Sequence, residues 1–125
     1  MAATAQEQAE ACTRLVVELS GGLELLFGKR KRIEVELPDT FRVGAAVTGG
    51  GGGGAAGTAP TVRDVIAYVA KTECTERVEL FTRNGSVTPG ILVLLNGADW
   101  ELEGELDAEV FDGDEVAFIS TLHGG

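Results

Sequence analysis

Few side chains in this sequence could do chemistry. His123 is the sole histidine and stands two positions from the last residue. A chain end cannot hold an imidazole at the angle that general-base catalysis requires, so His123 reads as a solvated or partner-contacting group. The serines are Ser20, Ser86 and Ser120, and none sits in a strand-to-helix elbow that would expose a nucleophilic hydroxyl. Glu105, Asp107, Glu109, Asp112, Asp114 and Glu115 crowd together. They lack the ligand order, glycine and distant glutamate of a calcium loop and read as a solvated charged surface. Cys12 and Cys74 lie far apart in no metal-type spacing, which points to reduced, structurally incidental thiols and to no bound metal. Gly49 to Gly54 is an unbroken glycine run, but Ala55 and Ala56 follow it where a phosphate-cradling loop needs Lys and then Ser or Thr.

What remains is the closing stretch Ser120-Thr121-Leu122-His123-Gly124-Gly125. Glycine has no Cβ, so two terminal glycines can thread a narrow channel and present the carboxyl carbon of Gly125 without steric shielding. A carboxylate is a poor electrophile. ATP must first convert it to an acyl adenylate, after which sulfur or an amine can displace AMP. The chain is therefore expected to be a carrier and co-substrate of an activating enzyme, with no cofactor of its own and ATP consumed by that enzyme.

The 125 residues, 44% of them hydrophobic, suit one compact domain. Ten Lys plus Arg against twenty Asp plus Glu give a formal charge of -10, a surface that repels phosphate backbones and argues against direct nucleic-acid binding. The longest apolar run, Ile91 to Leu95, is far shorter than the roughly 20 residues needed to cross a bilayer, and Met1-Ala2-Ala3 opens no secretory signal. A soluble, cytoplasmic protein without membrane contact is the expectation.

The elements that must position the terminal stretch follow from periodicity. Residues 1–12 are rich in Ala, Gln and Glu without an apolar stripe and read as a flexible leader. Leu15, Val17 and Leu19 alternate with polar or smaller partners as a half-buried strand, and Ser20-Gly21-Gly22 supplies a turn. Ile33, Val35 and Leu37 form a second strand that Pro38 closes, completing a β-hairpin. Residues 44–60, with the glycine run, read as a flexible insertion. Thr61 to Lys71 is the one clear helix: Val62, Val65, Ile66 and Val69 make a single stripe, Thr61 can cap, and Asp64 and Lys71 suit the two poles of the dipole. Asn84-Gly85 and Pro89-Gly90 mark turns, Ile91 to Leu95 reads as a strand in the sheet interior, and a last strand is expected from Glu115 to Leu122. The domain thus spans 13–122, with residues 123–125 as an exposed tail. The order is that of an α+β, β-grasp (ubiquitin-like) fold: a mixed sheet with one main helix. Pattern alone leaves other α+β arrangements open until strand pairing is seen. It also leaves open which of Ile91/Val93/Leu95 and Leu92/Leu94 faces away from the helix as a partner-facing patch, or whether both are core. Trp100 reads as a packing residue.

The stretch from Pro89 to Gly125, PGILVLLNGADWELEGELDAEVFDGDEVAFISTLHGG, with Gly21-Gly22 and Glu24-Leu25-Leu26-Phe27 at the front, resembles the ubiquitin-related modifier family. The NGADWEL segment, the LDAEV and DGDEV pattern and above all FISTLHGG carry the likeness. The long leader and the glycine insertion depart from it, both at loop positions where added length costs about 0.6 kcal/mol per doubling. The resemblance implies that Gly125 is adenylated by a ubiquitin-activating-type enzyme carrying a rhodanese domain and becomes a thiocarboxylate, with Leu122, His123 and Gly124 recognised as the tail. A tRNA-thiolating enzyme complex would then place the sulfur on the 2-position of the wobble uridine of cytosolic tRNAs. The resemblance also implies isopeptide attachment of Gly125 to lysines of target proteins. A sulfur carrier for another pathway, such as molybdopterin synthesis, and a passive ubiquitin-like interaction domain are the alternatives.

Overall fold

The computed structural model describes residues 12–43 and 59–121. Most of the expected leader, most of the expected insertion and Leu122 to Gly125 lie outside the described residues. Strand β1 (Cys12–Ser20) leads through a 3-10 turn, Leu23–Phe27, into β2 (Arg32–Pro38). Helix α1 (Val62–Thr72) follows, then a small hairpin of β3 (Thr82–Arg83) and β4 (Ser86–Val87). Strand β5 (Ile91–Leu95) turns into the two-residue β6 (Ala98–Asp99), two 3-10 turns intervene, and β7 (Glu115–Ser120) ends the fold. The main sheet has the order β2-β1-β7-β5-β6. Strands β1 and β7 run parallel at its centre, while every other pairing is antiparallel. That connectivity is the β-grasp arrangement.

Period-two alternation decides the core. Leu15, Val17 and Leu19 on β1, Ile33, Val35 and Leu37 on β2, and Val116 and Phe118 on β7 are all buried on the side of the sheet that α1 covers. Helix α1 answers with Val62, Val65, Ile66 and Val69, each 1% exposed or less, a stripe whose burial contributes about 1.5 to 3 kcal/mol per side chain. Phe81 sits between Phe27 and Phe118 with edge-to-face centroid distances of 5.1 Å to both, joining the front turn to the last strand. Trp100 packs part-buried against this core.

The helix start is built from Asp64, which is 3% exposed. Its carboxylate accepts the backbone N–H of Thr61 at 2.9 Å and that of Val43 at 2.7 Å, so one side chain caps α1 and ties it to the segment after β2. At the other end Arg30 donates to the Phe27 carbonyl at 2.8 Å and to the Glu73 carboxylate at 3.0 Å, pinning the front turn to the end of α1.

Three boundaries differ from the sequence reading. Strand β1 begins at Cys12, which pairs with Pro38, because the ladder extends past the apolar alternation. Pro60 is buried, with its carbonyl accepting from Val110, and so belongs to the ordered fold. Strand β7 stops at Ser120, since the amide of Thr121 bonds to the Gly90 turn just before the start of β5. The apolar run of β5 is also not at the sheet's centre. It lies next to the edge, where β6 covers only Leu94 and Leu95. Its two faces therefore part company: Val93 and Leu95 are buried, while Leu92 is 38% exposed and Leu94 part-exposed on the open face.

Candidate functional site: the root of the terminal tail

Gly125, Gly124, His123 and Leu122 lie outside the described residues, and the structure shows the platform from which they depart. Thr121 donates its backbone N–H to the Gly90 carbonyl at 2.9 Å and its hydroxyl to the same oxygen at 2.6 Å. Both bonds hold the chain to the Pro89-Gly90 turn at the point of exit.

The opposite flank is Gly21. Its φ of +71° suits glycine, and a Cβ built there would collide with the carbonyl oxygen of Ser120 and lie 2.9 Å from the Ser120 amide nitrogen. The hairpin turn therefore presses backbone against backbone on the last strand. Gly22 is held in turn by donating to the Glu24 carboxylate at 3.0 Å. This explains in steric terms why a Gly-Gly pair stands at the first turn.

Beside the exit lies a groove of about 260 Å³ lined by Leu23, Leu26, Leu80, Pro89, Ile91 and Ser120. On the other face of the sheet Leu92 pairs in register with Ile119, and Leu94 with Ala117. Apolar surface thus flanks the tail root on both faces, with Leu80 of the groove exposed by 42%. Apolar surface of this kind can exclude water when a partner binds against it.

The titratable groups do structural work. The carboxylate of Asp112 accepts the Arg14 amide, that of Asp114 accepts from Phe111 and Asn96, and that of Asp107 pairs with Arg63 at 2.8 Å. Much of the acidic stretch, expected to be simply solvated, thus folds its own loops. Among the described residues no three His, Cys, Asp or Glu side chains come together in a way that could hold a metal ion. Cys12 and Cys74 are free thiols. Burial, with the nearby Glu76 and Glu79 carboxylates acting in the same direction, pushes the Cys74 thiol above its ordinary range. Its S–H donates to the Glu76 carbonyl, and the group is left a poorer nucleophile than a free cysteine. No described helix is long and apolar enough to cross a membrane.

The sequence reading missed the groove and the Gly21 contact with Ser120. Both join segments some hundred residues apart, and the Gly-Gly pair was the only trace of them.

The chain is similar to a "Ubiquitin-related modifier 1 homolog" of Chlamydomonas reinhardtii, 43% identical over 112 residues, covering 90% of this chain and 98% of the relative. It is similar to "Ubiquitin-related modifier 1" of Mus musculus at 43% over 109 residues, covering 87% and 92%. The solution structure of Urm1 from Trypanosoma brucei superposes with a TM-score of 0.63 at 31% identity, covering 93% of this chain and 99% of that one. The model of the Urm1 (Ubiquitin related modifier) family matches residues 14–125, through the final glycine, and the chain belongs to that family.

Proposed function

We propose that this protein is a ubiquitin-like sulfur carrier whose working atom is the carboxyl carbon of Gly125. An activating enzyme with a rhodanese domain uses ATP to form the Gly125 acyl adenylate with release of pyrophosphate; the outer sulfur of an enzyme persulfide then displaces AMP to give an acyl disulfide, and a second thiol reduces that bond to release the thiocarboxylate. Leu122, His123 and Gly124 form the stretch that threads the activating enzyme, and the absence of Cβ atoms at Gly124 and Gly125 lets its channel be narrow. A tRNA-thiolating enzyme complex then passes the sulfur to the 2-position of the wobble uridine in cytoplasmic tRNAs. The same activated carbonyl, attacked by a lysine amine of a target protein, gives an isopeptide bond.

The observation that carries this reading is the family match running through Gly125, together with a tail root clamped at Thr121 and Gly21 and flanked by apolar surface. The net charge of -10 agrees with a carrier that meets enzymes and leaves tRNA to them. The test is the 2-thiouridine content of tRNA in cells whose only copy lacks Gly125. Loss of 2-thiouridine with molybdoenzyme activity intact supports the reading. Intact 2-thiouridine refutes it, and lost molybdoenzyme activity moves the carrier to the other pathway.

A further inference from the structure

Strand β2 is the outer strand of the sheet, with β1 on one side and no described strand on the other. The direction of its free hydrogen-bonding groups follows from the ladder. Leu19 donates its N–H to the Lys31 carbonyl at 2.9 Å, one step beyond the Glu18 and Arg32 pair. Bonded and non-bonded pairs alternate along an antiparallel ladder, so Ile33, Val35 and Leu37 turn their backbone groups toward β1. Arg32, Glu34 and Glu36 turn theirs outward. The donor that Pro38 lacks belongs to this same outward set, where its loss leaves the pairing with β1 intact.

The side chains of Arg32, Glu34 and Glu36 are exposed, whereas those of Ile33, Val35 and Leu37 are buried on the opposite face. Across the outer face, a groove of about 460 Å³ reaches from this strand over β1 to the Asp112-Gly113 turn, lined by Arg14, Val16, Glu34, Glu36, Asp112 and Gly113. Arg32 is engaged with Glu18 at 2.7 Å, and Arg14 stands 3.8 Å from Glu36 with both side chains mostly in solvent. Glu34 has no ion pair among the described residues.

We propose that the β2 edge accepts an extended polypeptide segment of another protein, added as a sixth strand, with lysine or arginine at every second position. An added strand places its side chains about 5 Å from those of β2 on the same face, and alternate residues stand about 6.8 Å apart along it. Two basic residues at i and i+2 therefore meet Glu34 and Glu36 together, while the residue between them falls on the helix side of the sheet and suits an apolar type. The backbone supplies affinity and the glutamates supply the choice of partner. A second copy of this chain is the poorer occupant, because antiparallel β2 to β2 pairing at full overlap brings Glu34 opposite Glu36. Charges on an edge strand guard against such self-pairing. The surface is separate from the tail root and does not rest on the chemistry of Gly125.

The test is a titration of the full-length ¹⁵N-labelled protein with a capped peptide of the pattern Thr-Lys-Val-Lys-Val-Lys-Thr and with its glutamate-for-lysine counterpart. The lysine peptide is expected to shift the Arg32, Glu34 and Glu36 amides and slow their hydrogen exchange, and the glutamate peptide to leave them unmoved. Replacing both charges, Glu34→Gln with Glu36→Gln, is expected to weaken binding about fivefold. Glu34→Pro removes an outward donor and keeps the β1 ladder, so it is expected to weaken binding about tenfold with the amide spectrum of β1 and β7 retained. If Glu34→Pro unfolds the chain, the double glutamine variant and the two peptides decide alone. Shifts centred on another surface, equal response to both peptides, or β2 amide shifts that grow with protein concentration without peptide would each overturn the proposal.

Discussion

Replacing Gly21 by alanine tests the tail-root geometry in energetic terms. At φ +71° any L-residue bears the left-handed penalty, about 1 to 2 kcal/mol. Gly85 gives an internal control, because its φ is +83° and a Cβ there meets nothing within 4 Å. Gly85→Ala should therefore cost about 1 to 2 kcal/mol. Gly21→Ala adds a collision with Ser120 backbone atoms, which cannot swing aside as a flexible side chain would, and displacing them adds about 1 to 3 kcal/mol. With a urea slope of about 2 kcal/mol per molar, the two variants should differ in midpoint by about 1 M. The Ser120 and Thr121 amides should also shift in Gly21→Ala and stay in place in Gly85→Ala. Coincident unfolding curves with unmoved Ser120 and Thr121 amides would refute the contact between the first turn and the last strand.

Asp64→Ala removes the acceptor shared by Thr61 and Val43 and should destabilise the fold by about 1 to 3 kcal/mol in urea, with Asp64→Asn intermediate; an unchanged midpoint would show the cap to be idle. Phe81→Ala empties the space between Phe27 and Phe118 and should cost about 3 to 5 kcal/mol by the same measurement. Leu92→Glu lies on the open face, so it should leave the thermal midpoint nearly unchanged while lowering kcat/KM for adenylation by the activating enzyme; unaltered kinetics would remove that face from docking. Burial disfavours the Cys74 thiolate, so iodoacetamide at pH 8 should label Cys74 more slowly than a free cysteine, and an equal rate would contradict this. With a raised folded-state pKa, the stability tied to this thiol is whole below the ordinary thiol range. It fades as pH climbs through the elevated value, a slope that Cys74→Ser should remove.

Elements with strong periodicity were legible in the sequence. The stripe on α1 and the alternation of β1, β2 and β7 each have one partner face, so pattern and burial coincide. Strand β5 was ambiguous because all five of its residues are apolar. Only the sheet order shows that Leu92 and Leu94 look outward, near an edge. The β3 and β4 hairpin and the 3-10 turns leave no periodic signal in the sequence, since elements of two to five residues carry no period to detect, although Asn84-Gly85 and Asn96-Gly97 are residues that tolerate the positive φ found there. The terminal glycines were visible as chemistry, whereas the clamp at their root depends on contacts across the whole chain.

Intact-mass and C-terminal peptide spectrometry of the full chain, after reaction with its activating enzyme, ATP and a sulfur donor, tests the chemistry of Gly125 most directly. The predicted product is heavier by the difference between one sulfur and one oxygen atom, with the change confined to Gly125. A chain that emerges with its carboxylate unaltered, under conditions in which a family member used as positive control is thiocarboxylated, would contradict the sulfur-carrier reading.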